Sequence, residues 1–372
     1  MYLIICVSSQ NYHFKIDSFS NDAWVVKLDL NGATVTGWTS QWNTHDPTNP
    51  NNVITIYPVG KFYGSRQGVF ANPTDIGEDI AKNIKVDHDG NYVVVGQAWK
   101  SGDDVPSGTQ YPHDGDIWVF KLDPSSGNIL TGKNAVYVQS GVHRGNDYAT
   151  SVVVDCNSPY DYVISSFCKS CDPNPLWYTG LGPWQQMWLL KIPSDFSSYS
   201  DEQYGWNAND FDKWDYGSFN ITQLFEGTFG TCTSGDGFLS LGVQHPTSLV
   251  GCFGSNHDFL AVKTNNSLVN YSNFNTPCTN AKRKSTNTNA GVAHGGRYGD
   301  TGLSAVQTCN GYILAGFSTS NYKDDPNQKT FCDNLPYDCD VSCNHYDCDA
   351  DPQTSDIWIV MVDGTDGSYL WD

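Results

Sequence analysis

Positive charge is scarce in this sequence: 20 Lys and Arg stand against 40 Asp and Glu, a formal net charge of −20. Phosphate backbones are bound by basic surfaces, so nucleic acid is excluded as an expected partner. No apolar run is long enough to span a membrane. Nothing sustains a 3.6-residue apolar period over about a dozen residues, so helices are expected to be few. Neither an H-E-x-x-H motif nor a G-x-S-x-G nucleophile elbow occurs, and the nine His are scattered. His143 and His294, with Arg144 and Arg297 close by, precede repeated segments and read as structural positions of the repeat. The opening MYLIICVSSQ lacks the basic start and small-residue cleavage site of a signal peptide, and it reads as a strand.

What is present is a repeat. DAWVVKLD from Asp22, DIWVFKLD from Asp116, QMWLLKIP from Gln186, DFLAVKTN from Asp258 and DIWIVMVD from Asp356 share an acidic or amide start and an apolar core. Except at Met361, a Lys then leads into a turn; Trp24, Trp118, Trp188 and Trp358 recur, with Leu260 as the exception. A second strand lies upstream in NYVVVGQAWKS, DYVISSFCKS, SLVGCFGSN and GYILAGFSTSNY. Before it comes a third element, in GEDIAKNIKV, GNDYATSVVV, GDGFLSLGV and GDTGLSAVQT. Short Asp, Asn and Gly turns join them, which is hairpin chemistry. Four antiparallel strands per repeat predict an all-β chain, a single β-propeller domain over 1–372 with about five four-stranded blades. Their approximate bounds are 1–70, 71–140, 141–225, 226–296 and 297–372. The first blade is expected to lack its innermost strand, so that the chain belongs to a longer protein or receives a strand from another subunit.

Blades without insertions need about 40–50 residues, and the excess here is loop. The inserts at 46–75, 101–115, 169–185, 196–230, 270–296 and 321–355 are all expected on one face, opposite the short turns. Loops on a rigid scaffold are where binding usually resides.

Cysteine chemistry points outside the cell. Cys168, Cys171, Cys232, Cys278, Cys332, Cys339, Cys343 and Cys348 fall in the inserts and are disulfide candidates. Cys6, Cys252, Cys156 and Cys309 occupy repeat-equivalent positions, as bridges near the blades or buried thiols. Asn220, Asn265 and Asn270 head N-glycosylation sequons, and with the Cys they favour an extracellular or cell-surface location. Asp338, Asp340, Asp347 and Asp349 are interleaved with Cys in an acidic run, a weak candidate for calcium beside the reading of a disulfide-knotted loop. The turns at Asp87 and Asp363 resemble partial calcium loops, but tight hairpins demand the same residues. Trp177 and Trp184 are weak candidates for stacking on sugar rings, or covers for loops without a core. The repeated Asp22, Asp116, Asp258 and Asp356 read as stitches between blades rather than catalytic groups.

The unit G-x-D-x-A-x-x-V, G-x-Y-x-V-x-G, D-x-W-V-x-K-L-D-x-x-G resembles the secreted β-propeller repeats of bacterial type known as SBBP repeats. The likeness covers the strands and none of the inserts. It implies a propeller fold and export, and carries no catalytic residues. LDPSSGNIL and VDGTDGSYLW resemble, more weakly, the blade ends of quinoprotein dehydrogenases, without their docking motif or cofactor ligands. The expected function is a non-enzymatic extracellular glycoprotein module, structural or adhesive, in a surface appendage or fibre. Its partners would be further copies or other surface proteins. The alternatives are a carbohydrate-binding, lectin-like propeller and a hydrolase or quinoprotein-type oxidoreductase.

Overall fold

The computed structural model describes residues 3–8, 23–38, 42–46, 49–56, 60–63, 79–98, 116–130, 135–138, 147–157, 159–168, 186–205, 216–225, 235–244, 258–275, 282–283, 285–286, 288–294, 300–318 and 356–371. Among them every regular element is a strand.

The first sheet joins β1 (Leu3–Ser8) to β2 (Ala23–Leu28); a separate hairpin, β3 (Trp42–Asp46) and β4 (Asn49–Ile56), precedes β5 (Lys61–Tyr63), which completes the sheet beside β2. The second sheet is β6 (Ile80–Val86), β7 (Tyr92–Ala98), β8 (Asp116–Leu122) and β9 (Ala135–Val138). The third is β10 (Tyr148–Val154), β11 (Tyr162–Cys168), β12 (Gln186–Ile192) and β13 (Ser200–Gly205). The fourth is β14 (Tyr216–Phe225), β15 (Gly235–Gln244), β16 (Asp258–Thr264) and, after the hairpin β17 (Lys282–Arg283) and β18 (Thr288–Asn289), β19 (Val292–His294). The fifth is β20 (Asp300–Gln307), β21 (Gly311–Ser318), β22 (Asp356–Asp363) and β23 (Tyr369–Trp371). All pairings within these sheets are antiparallel.

The sheets stack in chain order. Strand β6 lies on β1 and β2, β10 on the second sheet, β14 on the third and β20 on the fourth. Each junction has its own core. Val94, Trp118 and Phe120 meet Ala23 and Val25, and Ile164, Trp188 and Leu190 meet Val95, Ile117 and Val119. At the next two junctions Leu260 and Val262 meet Met187 and Leu189, and Leu314, Trp358 and Val360 meet Leu241, Phe259 and Ala261. One face of a middle sheet thus packs backwards and the other forwards, so β7, β8 and β11 are buried along their whole length. That is why these strands read as continuous apolar runs. Each fully buried Val, Leu, Ile or Phe contributes about 1.5–3 kcal/mol.

A β-bulge recurs in the first strand of the last four sheets, at Ala81/Asn83, Ala149/Ser151, Ser218/Asn220 and Gly302/Ser304. Opposite it stand Gly96, Ser166, Gly242 and Gly316. The extra residue turns a carbonyl toward the second strand, so a Cβ on Gly96 would sit 1.7 Å from the Ile80 oxygen. Strand β11 admits Ser166 there and uses its hydroxyl on the Trp188 carbonyl at 2.7 Å.

Three expectations are corrected. GDGFLSLGV, expected as the first strand of its unit, is β15, the second strand, paired directly with β16; the unit begins at β14 rather than near residue 226, and SLVGCFGSN lies outside the described residues. The 196–230 insert holds two ladder strands, β13 and β14. The inserts do not all leave one edge. Connections from second to third strand do leave opposite the hairpin turns, but residues 29–60 and 265–291 join third to fourth strands and leave at the turn edge. They contain much of the 46–75 and 270–296 inserts. Strand β17 then extends the third sheet by pairing with β13. No helix among the described residues is long and apolar enough to cross a membrane.

Candidate functional site

The turn edge is built from one device used repeatedly. After four of the five third strands an Asx residue closes the turn: the Asp29 carboxylate accepts the backbone N–H of Asn31 at 2.8 Å, Asp123 that of Ser125 at 3.0 Å, Asn265 that of Ser267 at 2.9 Å and Asp363 that of Thr365 at 2.6 Å. Hydrogen bonds from the Ser125 hydroxyl and from Ser126 hold Asp123 down at about 2. The same turns take a left-handed residue, Gly32, Gly127, Leu268 or Gly367.

Onto these turns the preceding sheet places two donors. The first is the repeated Lys. Lys27 Nζ donates to the Pro124 carbonyl at 2.6 Å, Lys191 to that of Asn266 at 3.2 Å and Lys263 to that of Gly364 at 2.6 Å. Each carbonyl follows the turn's Asx residue in the next sheet. Lys121 instead pairs with Asp87 of its own sheet at 3.3 Å, beneath the Tyr162 ring of the next. Lys27 likewise lies 5.4 Å from the Tyr92 ring and Lys263 5.4 Å from that of Tyr312. Burial lowers the Lys263 pKa, because its stem is clamped between sheets. The second donor comes from the fourth strand: Tyr63 donates to the Gly127 carbonyl and Tyr204 to that of Leu268. His294 holds the equivalent register and meets the Gly367 carbonyl through Nε2 at 3.1 Å. Burial pushes His294 down to about 4, and among the described residues its Nδ1 has no hydrogen-bond partner.

Between the second, third and fourth sheets the edge is more polar. Lys191 reaches Asp155 at 2.8 Å and Asp161 at 3.6 Å. Gln223 from β14 donates to Asp155 at 3.0 Å and accepts the Cys156 backbone N–H at 3.0 Å. Tyr162 donates to Asp87 at 3.1 Å; burial and that carboxylate raise its pKa. These groups are therefore engaged in holding sheets together.

The opposite edge is carboxylate-rich. Asp79, Asp147 and Asp300 stand at or just before the first strands and are fully buried, and Asp116 opens β8 with 3% exposure. All four are engaged with neighbours. Register brings Asp116 beside Ala98, Gln186 beside Cys168, and Asp258 beside the buried Gln244. The sequence reading picked out the Asp that open the third strands. It missed that those preceding the first strands are the more deeply buried, although the recurring G-x-D was the signal.

The predicted site residues scatter. Asn220, within the expected 196–230 insert, lies half-buried in β14, and its sequon partner Thr222 donates to the Ala305 carbonyl at 2.7 Å. Asn265 and Asn270 lie in the turn after β16, where the Asn270 amide donates to the Asn289 carbonyl at 3.2 Å. Cys168 ends β11 and is disulfide-bonded, as is Cys156 in the turn after β10. Cys309, expected as a bridge or a buried thiol, is instead free and exposed in the turn between β20 and β21. Its turn is only three residues long, which leaves the side chain in solvent. Cys171, Cys232, Cys278, Cys332, Cys339, Cys343 and Cys348 lie outside the described residues, as do Asp338, Asp340, Asp347, Asp349, Trp177, Trp184, Cys252 and His143. The calcium-like turns at Asp87 and Asp363 aim their carboxylates at their own backbone N–H groups. Among the described residues no cluster of three His, Cys, Asp or Glu side chains is placed to hold a metal.

No family model matches the chain, and a search of curated proteins finds no match.

Proposed function

We propose that the chain is a secreted, non-enzymatic β-propeller module, in which the stacked sheets are blades and the inserts make structural or adhesive contacts in a surface appendage or fibre. The observation that carries this reading is the stacking itself: each first strand lies on the preceding sheet, and Lys and Tyr latches tie successive sheets together. Blades set around an axis need such contacts. Latches that engage the described Lys, Tyr and Asp of the turn edge favour a scaffold over a catalyst. The disulfides at Cys156 and Cys168 favour an oxidising compartment, and the resemblance to SBBP repeats points the same way. Asn265, in a turn, is the better glycan acceptor; Asn220, within a ladder strand, is the poorer.

The test is to recover the native protein from medium or cell surface and analyse its peptides by mass before and after deglycosylation. A glycan on Asn265 and disulfide-linked peptides containing Cys156 and Cys168 are expected. A reduced, unmodified, intracellular protein would overturn the reading.

A further inference from the structure

Lys191 lies between two carboxyl groups that are set up in opposite ways. Its Nζ is 2.8 Å from Asp155 Oδ2 and 3.6 Å from Asp161 Oδ2. The Asp155 side chain is only 1% exposed. Three N–H groups converge on its other oxygen, Oδ1: the Asn157 backbone at 2.9 Å, the Asn157 side-chain amide at 2.9 Å and the Gln223 side-chain amide at 3.0 Å. Donors gathered on one carboxyl oxygen leave the carbon electron-poor, and they hold the charge that reaches that oxygen when a nucleophile adds. Asp161 is the other kind of carboxyl. Its Oδ1 is buried and accepts no hydrogen bond among the described residues. Burial raises its pKa, with Lys191 opposing and the Asp155 and Asp195 charges adding to the rise. An acid so placed holds its proton more readily than an ordinary carboxylate.

The second sheet repeats the arrangement with that acid replaced. Lys121 and Lys191 hold equivalent register, opposite Val93 and Val163. Asp87 closes its turn by donating its backbone N–H to the Asn91 carbonyl at 2.8 Å, as Asp155 does to the Asp161 carbonyl at 2.7 Å. Asn91 thus stands at the place of Asp161, and Lys121 stays 3.3 Å from Asp87.

We propose that Lys191 and Asp155 condense to an isopeptide bond, with Asp161 as the proton carrier, so that the turn after β10 is joined covalently to β12. Asp161 passes one proton from the Lys191 ammonium to Asp155 Oδ2. The freed amine adds to Asp155 Cγ: the C–N bond forms and the carbonyl electron pair moves to Oδ1, where the three N–H groups hold it. As that pair returns, the bond from Cγ to Oδ2 breaks, and a second proton from the nitrogen travels through Asp161 to the leaving oxygen. The products are a neutral amide and one water, so no oxidant, reductant or outside reactant is needed. Gln223 comes from β14 of the fourth sheet, so the set of donors is complete only once that sheet has docked.

Peptide mass analysis of the purified full chain, reduced and deglycosylated before trypsin digestion, tests this. The expected product is a branched peptide joining the Asp155 and Lys191 segments, about 18 Da lighter than the two together and uncut after Lys191. Lys121 and Asp87 are expected to be recovered unlinked from the same digest. Asp161→Asn keeps the shape of the side chain and is expected to give about 100-fold less linked peptide at the same time after synthesis. Lys191→Met abolishes the link; should that variant fail to fold, Asp161→Asn carries the test. Recovery of the Asp155 and Lys191 segments as separate peptides from the wild type overturns the proposal, and so does an equal yield of linked peptide in Asp161→Asn. An amide survives reduction and deglycosylation, so this result is separate from the glycan and disulfide masses that test the functional reading.

Discussion

Where Tyr63 and Tyr204 donate a hydroxyl to the next sheet's turn, the fourth sheet carries His294, buried and held down at about 4. The unfolded imidazole takes a proton near pH 6.5 and the folded one only near 4. Between those values the unfolded chain binds more protons, so this residue's contribution to stability is complete above about 6.5 and is lost as pH falls toward 4. The loss is at most about 1.4 kcal/mol per pH unit. His294→Tyr is expected to remove it, so variant and wild type should diverge in denaturant midpoint as pH drops from about 7 to about 4.5. Parallel pH profiles would contradict a buried neutral His294. The repeated Lys gives a second prediction at this scale. Lys121→Met takes the cation from the buried Asp87 carboxylate, which keeps its hydrogen bonds from Asn91 and Tyr162, and is expected to cost about 3–5 kcal/mol. Lys263→Met gives up a bond to a carbonyl, ring contacts and the attraction of the nearby Asp236 and Asp363, about 1–3 kcal/mol, in urea titrations. Equal losses would show that the Lys121–Asp87 pair is not the buried pair described.

At the scale of the strand, the bulge and its facing Gly decide register. Gly96→Ala sets a Cβ against the Ile80 carbonyl and is expected to destabilise by about 1–3 kcal/mol by denaturant unfolding. An unchanged midpoint would mean that β6 relaxes as β10 does opposite Ser166. This feature also explains what the sequence made legible. The Trp strands were plain because their turns are short and because the middle ones, β8 and β12, bury their apolar runs on both faces. The fourth unit was misread by one strand because Leu260 replaces Trp and Tyr216 stands where other units have Asp, which removed both markers. The Gly was the surviving signal: LSLGVQ carries Gly242 as YVVVGQA carries Gly96. The latches were not legible, because a Lys before a turn looks like a solvated end until the neighbouring sheet supplies the carbonyl. Nor was the β17 hairpin. Its partner strand β13 lies some 80 residues earlier, and its Arg283 meets Glu202 at 2.7 Å across that gap.

For the whole molecule, five antiparallel sheets stack in chain order, and each junction has its own apolar core. The most direct measurement is electron microscopy of the native surface material with an antibody to the chain. Label running along ordered filaments or appendages is expected of a structural subunit. Label confined to dispersed single molecules, or to the cell interior, would contradict it.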